Sequence, residues 1–287
     1  MSHPSTKPEA ILQLEQELGF ELTDLTHISD TNDGIPKSKT YTCNQEGEVI
    51  RLNLTECDLE EIPNLLVFEN LQILNLSHNK ISRIEGLDKL TNLKSLELRG
   101  NQLTHIEGLE KLTNLKSLNL SANQTTSIEG LDKLANLQEL DLSGNQITCI
   151  EGLDKLANLY YLDLSDNQLT RIEGLDKLAN LQSLELSGNQ LTRIEGLDKL
   201  TNLKTLGLGD NQLTRIEGLD YLSRLESLDL SNNKLSVIEN LPQDSLKELK
   251  VGGNNIEYIR SSFSDKDSEM RHCRLIFDSY GNHLEDI

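Results

Sequence analysis

Leucine and isoleucine recur through most of this chain at fixed phase, and the phase changes within each recurrence. In Leu181-Gln182-Ser183-Leu184-Glu185-Leu186-Ser187 apolar and polar residues alternate, which predicts a short strand with its leucines buried and Ser183, Glu185 and Ser187 on the open face. In the following stretch, Ile194-Glu195-Gly196-Leu197-Asp198-Lys199-Leu200, leucines stand three apart. That spacing predicts a short 3₁₀ or helical turn with Asp198 and Lys199 in water. The glycine of this stretch is expected to hold a backbone angle that other residues resist.

Between strand and turn stands an asparagine. Asn79, Asn101, Asn123, Asn145, Asn167, Asn189, Asn211 and Asn233 are each 22 residues apart. Their amides are expected to bond backbone groups of their own and the neighbouring coil, groups that the turn would otherwise bury unpaired. A fixed period of this length with this pattern is the mark of a solenoid whose coils share one core. The expected fold class is therefore an α/β solenoid with a parallel concave sheet and short 3₁₀ or helical convex turns.

Terminal coils need covers, because a bare one exposes its core. Thr6-Lys7-Pro8-Glu9 reads as a capping box before Ile11, Leu14 and Leu18, with Gly19 as the stop. A polar loop from Ser29 to Pro36 follows. Tyr41 to Val49 predicts a hairpin turning at Gln45-Glu46-Gly47 and feeding the first strand. Cys57 stands 22 residues before Asn79, at the first ladder position. At the other end the spacing slips to 21, which puts Asn254 on the ladder. Ser264 to Arg274 reads as a capping helix, and Leu275-Ile276-Phe277 with Asn282 to Ile287 reads as a further, irregular coil. The expected organisation is an N-terminal helix-hairpin cap over residues 1–48, the solenoid over 49–259, and a C-terminal cap or further coil over 260–287.

Two resemblances follow from these motifs. Arg171-Ile172-Glu173-Gly174-Leu175-Asp176-Lys177-Leu178, joined to Leu-x-x-Leu-x-Leu-x-x-Asn, resembles the 22-residue class of leucine-rich repeats found in the regulatory subunit of protein phosphatase 1. That likeness implies a right-handed leucine-rich-repeat superhelix over about residues 49–259. The N-terminal segments Ile11 to Gly19, Tyr41 to Gly47 and Val49 to Leu54 are similar to the cap of the leucine-rich-repeat domain in bacterial Roco proteins. In that family the repeats precede a GTPase, which implies a regulatory or interaction role. No Gly-x-x-x-x-Gly-Lys-Ser/Thr occurs in the chain, so no nucleotide-binding residues carry over.

Charge narrows the partners. With 27 basic against 47 acidic residues, a net −20, the chain is expected to avoid nucleic acid and anionic membranes and to attract a protein or peptide with a basic surface. The same charge would keep a surface-rich solenoid soluble. No stretch approaches the length of a membrane span and no leader is evident. Cys43, Cys57, Cys149 and Cys273 form no CxxC pair, so free thiols and a cytoplasmic location are expected. Capped ends predict a monomer.

Chemistry-bearing groups are sparse. Ser121, Ser143, Ser165, Ser187 and Ser231 recur at one repeat position with no histidine at a matching one, so no enzyme is expected and no catalytic residue is assigned. No cofactor and no metal are expected. The middle column of the open face runs Asn119, Asp141, Asp163, Glu185, Gly207, Asp229, Lys250. Asp141, Asp163 and Glu185 on adjacent coils would stack about 5 Å apart, so they splay into water or meet a cation. Tyr160 and Tyr161 interrupt the bland serine-and-acid lattice beside them, and tyrosine is enriched where binding energy concentrates. The predicted partner-binding residues are Tyr160, Tyr161, Asp163, Glu139, Asp141 and Glu185. Gly207 and Gly209 are expected to leave a notch two coils on. The alternative functions are a regulatory module of a larger signalling enzyme such as a Roco-type GTPase, or repeat expansion without selection for one ligand.

Overall fold

A computed structural model of the protein describes residues 7–26, 38–242, 245–259 and 274–276. The chain divides into two compact units, one of Met1–Thr125 with Glu129–Leu137 and one of Thr126–Ile128 with Gln138–Ile287.

In the first unit, α1 spans Glu9–Leu18 and buries Ile11 and Leu14. Its stop is as predicted: Gly19 is left-handed and its N–H donates to Glu15 O. Its start is not. Pro8 holds the cap position with no side-chain cap bond, and its carbonyl accepts from the Ile11 and Leu12 amides at 2.9 and 3.2 Å. The proline ring fixes an extended entry that needs no capping hydroxyl; Thr6 lies outside the described residues. Strands β1 (Thr23–Asp24), β2 (Thr40–Cys43) and β3 (Val49–Asn53) follow, then β4 (Ile73–Asn75), β5 (Ser95–Glu97) and β6 (Ser117–Asn119). The hairpin forms as expected, with β2 antiparallel to β3. It turns at Gly47, whose amide donates to Asn44 O at 3.1 Å. An unpredicted feature is β1, which pairs parallel with β2 and extends the cap by two residues. Beyond β3 the pairing is parallel and in register, Leu52 beside Leu74 beside Leu96 beside Leu118.

In the second unit β7 (Glu139–Asp141), β8 (Tyr161–Asp163), β9 (Ser183–Glu185), β10 (Thr205–Gly207) and β11 (Ser227–Asp229) continue the same frame. β12 (Val237–Ile238), β13 (Glu248–Lys250), β14 (Tyr258–Ile259) and β15 (Arg274–Ile276) complete the unit. The parallel sheet runs β7-β8-β9-β10-β11-β13-β15, while β12 and β14 pair separately. The predicted polar loop and the helix proposed from Ser264 lie outside the described residues. The exception is Arg274, which opens β15 instead of closing a helix.

Each coil closes around leucine. Leu181, Leu184, Leu186, Leu191, Leu200 and Leu203 are all fully buried. The return limb is two successive turns and not a helix. Leu200 N–H donates to Leu197 O at 2.9 Å and Leu203 N–H to Leu200 O at 3.0 Å. Leucines three apart close one 3₁₀-type turn and then begin the next, so no run of consecutive bonds develops. The limb glycine is forced: Gly196 has φ +77°, and a Cβ there would stand 2.2 Å from Ile172 O.

The asparagine ladder is present. Asn189 Nδ2 donates to Leu164 O and Leu186 O at 2.9 and 3.0 Å, and its Oδ1 accepts the Leu169 N–H at 2.9 Å. Asn254 joins it across the shortened spacing, accepting from Leu235 N at 3.0 Å. Cys57 takes the first rung, with its thiol donating to Thr55 O at 3.4 Å. Burial pushes that thiol up from its ordinary pKa, as befits a structural sulfur. A second ladder was not foreseen. Exposed asparagines of the return limbs bond the previous limb: Asn92 to Glu69 O and Asn114 to Thr91 O in the first unit, Asn180 to Ala157 O and Asn202 to Ala179 O in the second.

Candidate strand-face site

All six candidate residues belong to the second unit, on or beside β7, β8 and β9. The pairing register places Asp141, Asp163 and Glu185 side by side, and Tyr161 between Glu139 and Ser183. Because a strand sends alternate side chains to opposite faces, Leu140, Leu162 and Leu184 enter the core while their neighbours stay on the open side.

The aspartates of the column are fixed by their own strands. Asp141 Oδ1 accepts from the Ser143 backbone N–H at 3.0 Å and from its hydroxyl at 2.7 Å. Asp163 Oδ1 is held in the same way by Ser165, and Asp229 Oδ1 by Ser231. The second oxygen of two of them has its own partner: Asp163 Oδ2 accepts from Tyr161 Oη, and Asp229 Oδ2 faces Lys250 Nζ at 3.6 Å. Of the recurrent serines, Ser143, Ser165 and Ser231 therefore donate their hydroxyl protons to neighbouring aspartates and Ser121 donates to Asn119 Oδ1, a structural task unforeseen in the sequence, although the Asp-x-Ser and Asn-x-Ser spacing carries it.

The two tyrosines part company. Tyr161 is half-buried and its Oη donates to Asp163 Oδ2 at 3.2 Å. Burial, then the charges of Asp163 and Asp141, hold its phenol above the usual range. Tyr160 is exposed at the strand's leading edge, and its Oη donates to Glu139 Oε1, a bond that raises its own pKa. Its ring lines a groove of about 330 Å3 with Asn180, Lys204 and Arg224. The structure thus gathers Glu139, Asp141, Tyr161, Asp163 and Glu185 on one face and sets Tyr160 at its rim.

Glu185 stands apart from the aspartates. No hydrogen bond reaches its carboxylate among the described residues. The side chain lies across β10, where Oε2 occupies the space that a Cβ on Gly207 would need, only 1.9 Å away. The notch expected at Gly207 and Gly209 is therefore occupied: both glycines are buried, Gly207 under Glu185, and Gly209 near Ser231 Oγ and Ser187 Oγ. Burial, then the charges of Asp163 and Asp229, raise the Glu185 carboxyl to about 7, against a smaller opposing pull from Lys250. Lys250 itself stands 3.6 Å from Asp229 Oδ2 and 3.7 Å from Glu248 Oε1.

Elsewhere, an open groove of about 1090 Å3 in the first unit is lined by Glu17, Glu61, Leu66 and Arg83, and none of the six candidates lies on it. Among the described residues no group of three His, Cys, Asp or Glu is arranged to hold a metal ion. No described helix is long and apolar enough to cross a membrane.

Comparisons place the chain among known folds. A family profile described as Leucine Rich repeats (2 copies) matches residues 91–133, 135–177 and 179–221. Two further leucine-rich-repeat profiles match 49–103 and 224–243. No curated protein gives a match. Among solved structures, an internalin C2 from Listeria monocytogenes is 32% identical with a TM-score of 0.58, covering 67% of this chain and 81% of its own. A Listeria internalin, inlF, is 25% identical with a TM-score of 0.57 over 78% of each chain. A leucine-rich-repeat protein of Leptospira interrogans is 28% identical with a TM-score of 0.65; the match covers 85% of this chain and 60% of that one. Repeat frame, asparagine ladder, parallel strands and these matches agree, and the chain belongs to the leucine-rich-repeat proteins.

Proposed function

We propose that this chain is a non-enzymatic interaction scaffold whose strand face in the second unit binds a protein or peptide with a basic surface. One observation carries the reading: three carboxylates stand in register on consecutive strands, two of them fixed by a serine clamp on one oxygen. Tyr161 supplies a rigid surface among them with Glu139 beside it, and Tyr160 forms the rim. A Lys- or Arg-bearing segment complements such a column, and the net −20 disfavours nucleic acid and anionic lipid as occupants. The free thiols of Cys43, Cys57 and Cys149 suit a reducing cytoplasm, and a monomer with caps over residues 1–48 and 260–287 around repeats over 49–259 belongs to the same reading.

The test is a pull-down from lysate with the wild type beside Tyr161→Ala/Asp163→Ala. Loss of specific captured proteins, graded by salt, is expected. An identical set of captured proteins would sink the site. A second reading, a regulatory arm of a Roco-type GTPase, draws support from the helix and antiparallel hairpin before the first coil. Its test is the gene downstream of the Ile287 codon, where an open frame reaching a Gly-x-x-x-x-Gly-Lys-Ser/Thr motif is required.

A further inference from the structure

Glu185 is the one acid of the Asp141–Asp163–Glu185–Asp229 run that its own strand does not clamp. One methylene longer than aspartate, it reaches over the next coil, and it can do so because residue 207 has no side chain. In that seat its carboxyl is half-buried, without a hydrogen bond from a described residue, between two fixed negative charges. The groups that face it are Asp163 and Tyr161 from β8, Asp229 from β11, and Lys250 beside Glu248 from β13; β10 beneath it contributes none.

We infer that Glu185 is a proton-operated gate on the binding face: uncharged it lies across Gly207, and ionised it leaves that seat and completes the acidic column for a cationic partner. The inference rests on the proposed interaction face and adds its regulation. A buried, unclamped carboxylate between like charges gains by moving into water when it ionises, whereas the neutral acid has no such reason to leave. A partner's ammonium or guanidinium group selects the ionised form, so its binding expels a proton from Glu185 below neutrality. With the carboxyl titrating at about 7, the ionised fraction rises roughly tenfold between pH 6 and pH 8, and affinity for a cation should rise with it.

The experiment has two arms on the intact chain. The first follows the Glu185 side-chain carboxyl by carbon NMR against pH, in the wild type and in Gly207→Ala. Gly207 lies in an extended strand, so alanine meets side-chain atoms alone, the movable end of Glu185 and, at 3.2 Å, Ser187 Oγ, and the variant should fold. Expected is a midpoint near 7 in the wild type, falling by two pH units or more in Gly207→Ala. An ordinary midpoint in the wild type, or one that alanine leaves in place, overturns the seat. The second arm measures binding of a tetra-arginine peptide at pH 6 and pH 8 at constant ionic strength. The wild type should bind about tenfold more tightly at pH 8, and Glu185→Gln should show no such change. Binding without pH dependence overturns the gate alone. Absence of binding at both values overturns the interaction face and the gate with it.

Discussion

Asn189→Ala is the sharpest probe of what holds the coils together. The native side chain is 7% exposed and satisfies one amide and two carbonyls closely, the Leu169 N–H and the Leu164 and Leu186 oxygens at 2.9 to 3.0 Å, with a longer third bond to Ser187 O at 3.3 Å. Alanine leaves these groups without that partner in a space too tight for free hydration. A neutral hydrogen bond contributes about 1 kcal/mol net, and an orphaned buried group costs about 1–3 kcal/mol. Some relaxation and partial water entry bring the expected loss to about 3 kcal/mol. Asn180→Ala is the internal control, since that exposed amide makes a single bond, to Ala157 O at 2.9 Å, and its loss should cost under about 1 kcal/mol. Urea unfolding of the two variants gives the comparison, with a midpoint shift of about 1 M expected for Asn189→Ala. Amide exchange at Leu169 should accelerate about a hundredfold in that variant if opening is local. Equal midpoint shifts for the two variants would refute the claim that the inner ladder is the stronger.

Glu185→Gln should stabilise the protein, and only on one side of the pH scale. The folded state raises this carboxyl from 4.5 to about 7, so its penalty is absent below 4.5, grows across that window, and is complete above 7. After allowance for solvent screening the gain at pH 8 should be about 1–2 kcal/mol, shrinking towards pH 4.5 in chemical unfolding; a gap that does not change with pH contradicts the assignment. Gly196→Ala should lower the melting point far more than Gly188→Ala. Both have positive φ, but the added methyl meets the Ile172 carbonyl at 2.2 Å in one case and the movable Asp166 carboxylate at 2.3 Å in the other. Losses of about 3 and 1 kcal/mol are expected, and equal melting points would show that the limb tolerates a side chain there.

The periodic part of the fold was legible because each position repeats: alternation at Leu184 and Leu186 announces a strand, and the fixed place of Asn189 announces the ladder. Even the slip to 21 and its consequence for Asn254 could be read. The return limb was harder, since leucines three apart fit a helical turn as well as the tandem turns that form. The outer ladder of Asn92, Asn114, Asn180 and Asn202 hid in plain view, because a polar residue on an exposed limb looks like simple solvation. At the strand face, the column of acids was visible and its internal order was not. The Ser165 clamp on Asp163 is a local contact that periodicity does not reveal. The seat of Glu185 depends on the absence of a side chain on the next coil, twenty-two residues away. Tyr160 and Tyr161 are neighbours in sequence, yet the strand edge sends one to the rim and keeps the other on the face.

The inner ladder also bears on how such a gene can change length. At Asn189 its bonds run to the carbonyls three and 25 residues before it and to the amide 20 residues before it, and Asn167, Asn211 and Asn233 repeat the same reaches. At Asn254 the carbonyl three residues back is retained, while the longer reaches become 24 and 19. The strand-to-asparagine segment is thus rigid in length, and the return limb absorbs a missing residue. Recombination that removes or adds one whole coil, at matching points of repeats as alike in amino-acid sequence as residues 146–167 and 168–189, rejoins the same kinds of donor and acceptor at the same separations. Such a lineage can lengthen or shorten one coil at a time, with each product able to close its ladder.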